Sequence, residues 1–511
     1  MAERRNFFAE QSTVAKATLA GLLVLLAYIY IKILLQRQEQ RNSEAILAAQ
    51  NGCKEPRKLR GRWPFSIDLI LQSVKADNRN QILRFFIPFI DNVGNTHAQY
   101  LLGTRAINTI DPENLEVILS SHFQDFSLGA REQNFRPLLG HGIFTQNGAS
   151  WKASRDLLRP IFNHQRTDYF SRIQLSVNNL LARIASDTSQ AEPIIDLQPL
   201  FFLLTLDVTT AAVLGTSTNS LQDQGNQLGS QFAKAFDQGQ HYLAVRGRLG
   251  DFYWVLGGNK FKSACTFVHE FVDKIVASEL KHKVEEDASG APEKESYLFI
   301  DALLKETTDA KVIRDQLVNV LLAGRDTTAC LLSWTFRLLA LHPKAQQRLR
   351  TECVSLSSYQ AGELPTKEEL KRMIYLRQVI HEGGGSDGKC PMLVRKGEAV
   401  GYCVYAMHRR KDLYGNDADE FRPDRWDENA VDGPDLSKIG WGYLPFNGGP
   451  RVCLGQEFAM LEASFAIVRL LQTFSEIELA GEETAYEKLY PQHTVTLVIA
   501  SANGCKVRLS T

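Results

Sequence analysis

Near the C-terminal end of the 511-residue chain, one cysteine stands where its sulfur can do chemistry. Cys453 lies in the run Phe446, Asn447, Gly448, Gly449, Pro450, Arg451, Val452, Cys453, Leu454, Gly455, and a helical pattern opens directly after it at Gln456. The thiolate is the metal-binding form of cysteine, and a helix N-terminus beside it lowers the thiol pKa through its dipole and free amides. Gly449 and Gly455 carry no side chain, so a large flat ligand can approach the backbone, and Arg451 offers a cationic fork for a carboxylate. This donor set suits a haem ligated through Cys453, whose thiolate pushes electron density towards oxygen–oxygen cleavage. A lone cysteine is more often a buried structural residue; the spacing of Phe446, Gly449, Arg451 and Gly455 around this one favours the functional reading.

A second set of reactive residues sits mid-chain. From Asp309 to Leu341 the pattern is helical and apolar nearly all round at its centre, and it stops at His342 and Pro343. A helix of that kind is buried. Within it stand Ala323, Gly324, Arg325, Asp326, Thr327 and Thr328. There glycine costs about 1 kcal/mol relative to alanine, and a buried carboxylate needs a partner. A threonine bonding back to its own helix is the bland explanation. The functional one is an acid and alcohol pair facing a cavity, with Asp326 and Thr327 carrying protons inward and Gly324 admitting a flat cofactor.

The spacing Phe-x2-Gly-x-Arg-x-Cys-x-Gly resembles the haem-binding loop of the cytochrome P450 family, and Ala323 to Thr328 resembles that family's central helix. Trp151 and Arg155 match its Trp-x3-Arg element, which binds haem propionates. His408, Arg409, Asp412, Phe421, Pro423 and Arg425 match the segment before the haem loop in order and spacing. The resemblance covers nearly the whole chain, and its finer features look like the fungal branch that hydroxylates n-alkanes and fatty acids. It implies a mainly α fold with small β-sheets and a haem b whose iron is ligated by Cys453. Trp151, Arg155, Gly324, Phe446, Gly449, Arg451 and Gly455 would contact the cofactor, and Asp326 and Thr327 would act in catalysis. It also implies electrons from NADPH through a separate flavoprotein reductase, docking near Lys152, Arg159 and Arg451, and insertion of one atom of O2 into an apolar substrate. Consistent with a separate electron source, no Gly-x-Gly-x-x-Gly follows a strand. The aromatic stretch from Phe232 to Trp254 reads equally as a cavity roof or as core packing.

Composition is that of a globular protein, with 44% hydrophobic and 23% charged residues. Lys plus Arg and Asp plus Glu both number 58, so no global charge argues for a nucleic-acid partner. The eight cysteines show neither paired metal-ligand spacing nor a short disulfide framework, which fits a reducing compartment. Residues 17–35 are apolar apart from Lys32 and long enough to cross a bilayer, with Tyr28 and Tyr30 near the interface. A signal peptide is the rival, but Gln36, Arg37 and Gln38 follow where small residues would mark cleavage. The expected organisation is a tail at 1–16, a transmembrane anchor at 17–35, a hinge at 36–64 and a haem-thiolate domain at 65–511. Placement in the endoplasmic reticulum membrane, single-pass with a cytosolic catalytic domain, follows from the anchor, the flanking basic residues and the resemblance.

One element departs from the family. A helix opening at Thr366, with Glu369 completing a capping box, runs through Met373, Leu376 and Val379 to Glu382. In the family this helix carries Glu-x2-Arg, and the pair meets the arginine matched here by Arg425. After Glu382 this chain reads Gly383, Gly384, Gly385, Ser386. The arginine, the following strand and a basic haem contact are absent, and breaking such a buried charge network costs about 3–5 kcal/mol of a typical total of about 5–15 kcal/mol. The alternative reading is therefore an impaired pseudoenzyme, or an incomplete gene model that does not retain haem. A thiolate isomerase or dehydratase is a third, opposed by Asp326 and Thr327.

Overall fold

The computed structural model describes residues 28, 31–32, 35, 38–39 and 42–510, except 102–103, 164–166, 188–193, 223–227, 290–298, 382–393, 396, 428–438, 482, 485–486 and 488–489. The expected 17–35 anchor lies almost wholly outside the described residues, and so do Glu382 and the glycines after it. Tyr28, Ile31 and Leu35 are helical and exposed. The 36–64 segment differs from the hinge expected there. Residues 42–50 are helical, Arg395 Nε donates to Glu44 Oε2 at 2.7 Å, and strand β1 (Arg57–Leu59) buries Leu59. Main-chain pairing outweighs the Pro and Gly signals at this point: β1 runs parallel to β2 (Thr96–Leu101), with Leu59 opposite Gln99.

β2 continues into β3 (Thr104–Thr109) as an antiparallel hairpin, and β3 pairs in parallel with β4 (Ala399–Tyr402). The strand-like stretch Tyr100 to Ile107 thus takes in parts of two antiparallel strands, and the one from Ala399 to Tyr405 ends in a helical turn at Val404–Met407. Small sheets elsewhere join Ile195–Asp196, Lys506–Ser510 and Glu476–Leu479, and His493–Val495 with Ile499–Ser501.

Most of the rest is helical, and the helices that matter for the site include α1 (Arg131–Leu139), α2 (Gly148–Asn163), α3 (Thr167–Asp187), α4 (Leu197–Leu214) and α5 (Leu228–Leu249). After these comes α6 (Ala310–Leu341), the central helix read from the sequence, with Asp309 capping it by accepting from the amides of Lys311 and Val312. Its side chains pack along α4. Both are apolar all round because both are core: Leu204, Val208, Leu332 and Phe336 are fully buried in one cluster. Although α4 is long and apolar enough to cross a membrane, 72% of it is buried inside the fold.

The helix expected from Thr366 to Glu382 is two helices. The capping box on Glu369 forms, but α7 (Lys367–Arg372) ends at Met373, whose backbone is extended, and α8 (Ile374–His381) restarts. Glu352 accepts from the amides of Tyr375 and Leu376 at 3.1 and 3.0 Å and satisfies the new N-terminus. Finally α9 (Gln456–Thr473) follows the cysteine loop and carries a buried stripe including Phe465, Ile467 and Leu471.

Candidate active site

The cysteine loop is set by its own backbone. The Cys453 amide donates to Phe446 O at 3.0 Å and the Val452 amide to Gly449 O at 3.0 Å, closing a tight turn before α9. Gly449 has φ +61°, and a Cβ there would run into the carbonyl oxygen of Leu119. Its glycine character is required by this backbone contact rather than by a ligand. Gly455 is less constrained, since a Cβ would meet only Phe162 at 3.5 Å.

Cys453 is exposed, but to the interior of a cavity of about 620 Å³. Burial pushes its thiol pKa up, while the Gly455 amide and the Arg155 charge act in the opposite direction. Desolvation therefore outweighs the helix N-terminus, and the net direction is the reverse of the lowering expected from the loop's position.

Helices α2 and α6 bring most of the other predicted residues to this cavity. Its wall includes Trp151, Arg155, Gly324, Thr327, Phe446, Arg451 and Gly455. Trp151 is buried rather than on a surface helix, and the Arg451 guanidinium lies 4.5 Å from its ring centroid. Arg451 Nη2 donates to Gln146 O at 3.0 Å, and Arg155 Nη1 to Val452 O at 2.9 Å. Arg131, at the start of α1, is a third guanidinium in the wall, and Arg172 on α3, which donates to Ala211 O at 2.6 Å, is a fourth. None of Arg131, Arg155 and Arg451 forms an ion pair with a carboxylate among the described residues. Burial lowers the pKa of all three, that of Arg451 to about 10 with further repulsion from Arg131 and Arg155. Three desolvated cations sharing one cavity call for an anion. Arg131 escaped the sequence reading because no local motif surrounds it.

The acid and alcohol pair divides. Thr327 faces the cavity, and its hydroxyl donates to Ala323 O at 2.7 Å, the back-bonding pattern of a helical threonine. Asp326 is buried, is not part of the wall, and takes a hydrogen bond from Arg325 Nη1 at 3.0 Å. The same nitrogen donates to Asp237 Oδ1 on α5 at 2.6 Å. Burial pushes the Asp326 carboxyl up to about 6, against the pull of Arg325. Gly324 has a packing reason: a Cβ would stand 2.6 Å from Thr209 Oγ1 on α4. It borders the cavity and also lets α4 and α6 meet.

The aromatic stretch resolves towards core. Phe232 and Phe236 are fully buried and stack at 5.5 Å, while Trp254 is 69% exposed, and none of them lines the cavity. Lys152 and Arg159 are exposed on α2, whereas Arg451 points inward. Arg425 is buried and donates to the carbonyls of Tyr414, Asp417 and Glu420 at 2.8–2.9 Å.

The sequence model of the family "Cytochrome P450" matches residues 61–383 and 388–497. The chain belongs to the cytochrome P450 family. It is 44% identical over 512 residues to a Cytochrome P450 of Arthroderma benhamiae, covering 95% of this chain and 97% of that one. It is 38% identical to Cytochrome P450 monooxygenase g430 of Fusarium sp, covering 91% and 86%. With Cytochrome P450 52A13 of Debaryomyces hansenii it shares 37% identity over 91% and 93%. The P450 match is interrupted only at 384–387, inside the segment where the sequence departs from the family pattern.

Proposed function

We propose that this cytochrome P450 is a membrane-anchored haem-thiolate monooxygenase that inserts one atom of O2 into an apolar substrate, by terminal hydroxylation of n-alkanes or fatty acids. The observation that carries it is the donor set of one cavity: the Cys453 thiol with the desolvated guanidiniums of Arg131, Arg155 and Arg451, which lack carboxylate partners among the described residues. That set fits a flat group with a thiolate-seeking metal and two carboxylates. Cys453 would hold the iron, and Trp151, Arg155, Arg451 and Arg131 the propionates, with Phe446, Gly449 and Gly455 shaping the loop around the ligand. The haem, when bound, supplies the redox chemistry that activates dioxygen.

The chain's own residues do the rest. Thr327 presents its hydroxyl oxygen to the cavity while its proton is engaged with Ala323. Asp326 is poised to hold or release a proton near pH 6, with Arg325 linking it to the exposed Asp237. Phe144, Val213, Phe299 and Val320 form apolar wall that excludes water and suits a hydrocarbon substrate. Electrons would come from NADPH through a flavoprotein reductase, with Lys152 and Arg159 as basic contacts and an endoplasmic reticulum anchor at 17–35. Turnover of laurate or hexadecane with added reductase tests the substrate class. Inactivity on both, in protein showing an intact thiolate-haem spectrum, rejects it.

A second reading is favoured by the interruption of the family match at 384–387. Without an arginine three residues after Glu382, the chain would adopt the family's fold yet fail to keep haem. Restoring the missing block and comparing haem content separates the two readings.

A further inference from the structure

Residues 140–147 connect α1 to α2, and α6 meets that connection with Asp315, Gln316 and Asn319, three buried polar residues in its second and third turns. Asp315 Oδ2 accepts from the His141 amide at 2.8 Å, and its Oδ1 from Arg314 Nε and Nη2 at 3.1 and 2.9 Å. Asn319 Oδ1 accepts from the Phe144 amide at 3.0 Å, while its Nδ2 donates to the carbonyls of Leu139 and Asp315, both at 2.7 Å. Gln316 Nε2 donates to Ser154 Oγ at 2.7 Å, and the Ser154 hydroxyl donates in turn to Gln146 Oε1 at 2.5 Å. The fit is steric as well as polar. A Cβ on Gly142 would stand 2.2 Å from Asn319 Nδ2, and one on Gly140 would stand 2.1 Å from the Asp315 carboxyl carbon. Thr145 braces the loop from within, its Oγ1 donating to Gly140 O at 2.9 Å and accepting from the Gly142 amide at 3.0 Å.

On its other side the same loop meets the cysteine loop. Arg451 Nη2 donates to Gln146 O at 3.0 Å, and its Nη1 reaches Ile143 O at 3.5 Å. With no carboxylate partner among the described residues, this guanidinium is held by those two carbonyls and by the face of Trp151. Asn319 borders the cavity, where a lone amide side chain would ordinarily read as a substrate contact. Here both of its amide protons and one oxygen lone pair are already engaged with main chain, so it has little left to offer a ligand.

We propose that Asn319 is a positioning residue for Arg451. It fixes the 140–147 loop against α6, and through the carbonyls of Ile143 and Gln146 that loop fixes the guanidinium two residues before Cys453. Its action runs through main-chain atoms of a loop that belongs to neither α6 nor the cysteine loop, and supporting contacts of this kind decide how exactly a binding group is held. The inference goes beyond the proposed function, because the loop is braced whether or not haem is bound.

Hydrogen exchange of the full chain, read by mass spectrometry, tests the brace at both ends. Asn319→Ala speeds exchange about tenfold in peptides covering 140–147, where the Phe144 amide loses its acceptor, and speeds it in peptides covering 446–455 as well. Gly142→Ala, which drives a methyl into Asn319, gives the same pattern. Ser333→Ala, which removes a buried hydroxyl further along α6, leaves both peptides as in the parent. In an Arg451→Ala background the cysteine loop is already released, so adding Asn319→Ala speeds 140–147 alone. Unchanged exchange at 140–147 in Asn319→Ala, a 446–455 peptide that does not follow it, or the same pattern in Ser333→Ala overturns the proposal. Haem-loaded protein gives a second readout: haem passes to apomyoglobin several-fold faster from Asn319→Ala than from the parent. Equal rates from protein whose loop exchanges faster overturn the link to Arg451. Because exchange needs no haem, a chain without a thiolate-haem spectrum removes the proposed function, while the two peptides still decide this inference.

Discussion

Arg155 Nη1 donates to the main-chain carbonyl of Val452 at 2.9 Å, so α2 grips the residue immediately before Cys453. The sequence pattern places Arg155 in a Trp-x3-Arg element and Cys453 in a separate loop 298 positions later; this hydrogen bond is where the two meet. Arg155 also borders the cavity and favours the thiolate form of Cys453.

Removing that guanidinium loses a charge-assisted hydrogen bond, worth about 1.5–3 kcal/mol. Arg155→Ala therefore lowers the thermal midpoint and the haem-to-protein ratio together. Arg155→Lys keeps the charge but not the planar fork, and recovers stability more than haem content. Calorimetry and pyridine haemochrome titration measure both.

Gly324 and Thr209 are a matched pair across α6 and α4. Gly324→Ala drives a methyl towards Thr209 Oγ1, and overpacking of this kind costs about 1–3 kcal/mol. Adding Thr209→Ala removes the obstructing atoms and returns most of the loss. Denaturant melts of the two single variants and the double variant give the coupling.

Asp326 is held at about 6, above its ordinary 3.8. Between those values the folded state keeps a proton that the unfolded state gives up, so stability falls as pH rises from about 4 to 6 and is flat in this respect above it. Asp326→Asn removes this dependence. Melting temperatures from pH 4 to 7 show a shallower profile in the variant.

Gly449→Ala combines a strained backbone with a collision. At φ +61° an L side chain is disfavoured, and its Cβ meets Leu119 O, a main-chain atom that cannot swing aside. We expect the variant to lose haem binding and the ordered loop, read as loss of the Soret band and new proteolytic cleavage between Phe446 and Gln456.

Much of this site was legible because its parts are local. The loop around Cys453, the Asp309 cap and the Thr366 to Glu369 capping box are each decided by residues within a turn of one another, and all three form. What escaped depends on distant partners. Glu352 caps α8 from more than twenty residues away, Arg131 reaches the cavity without a motif, and β1 finds β2 across the intervening helices Ile67–Asn78 and Ile82–Val93. The sequence marks Gly324 and Gly449 as places where a flat ligand can approach, but the atoms that leave no room for a Cβ there belong to Thr209 and Leu119. No sequence window could show that Asp326 turns from the cavity while Glu462 joins its wall.

The central claim is that Cys453 holds a haem in this exact chain. The reduced, carbon-monoxide-bound difference spectrum of the full-length protein in membranes tests it most directly. The account predicts a Soret band displaced far to the red of that of histidine-ligated haem, and its loss in Cys453→Ala. No such band in the parent, or the same band in Cys453→Ala, would contradict it.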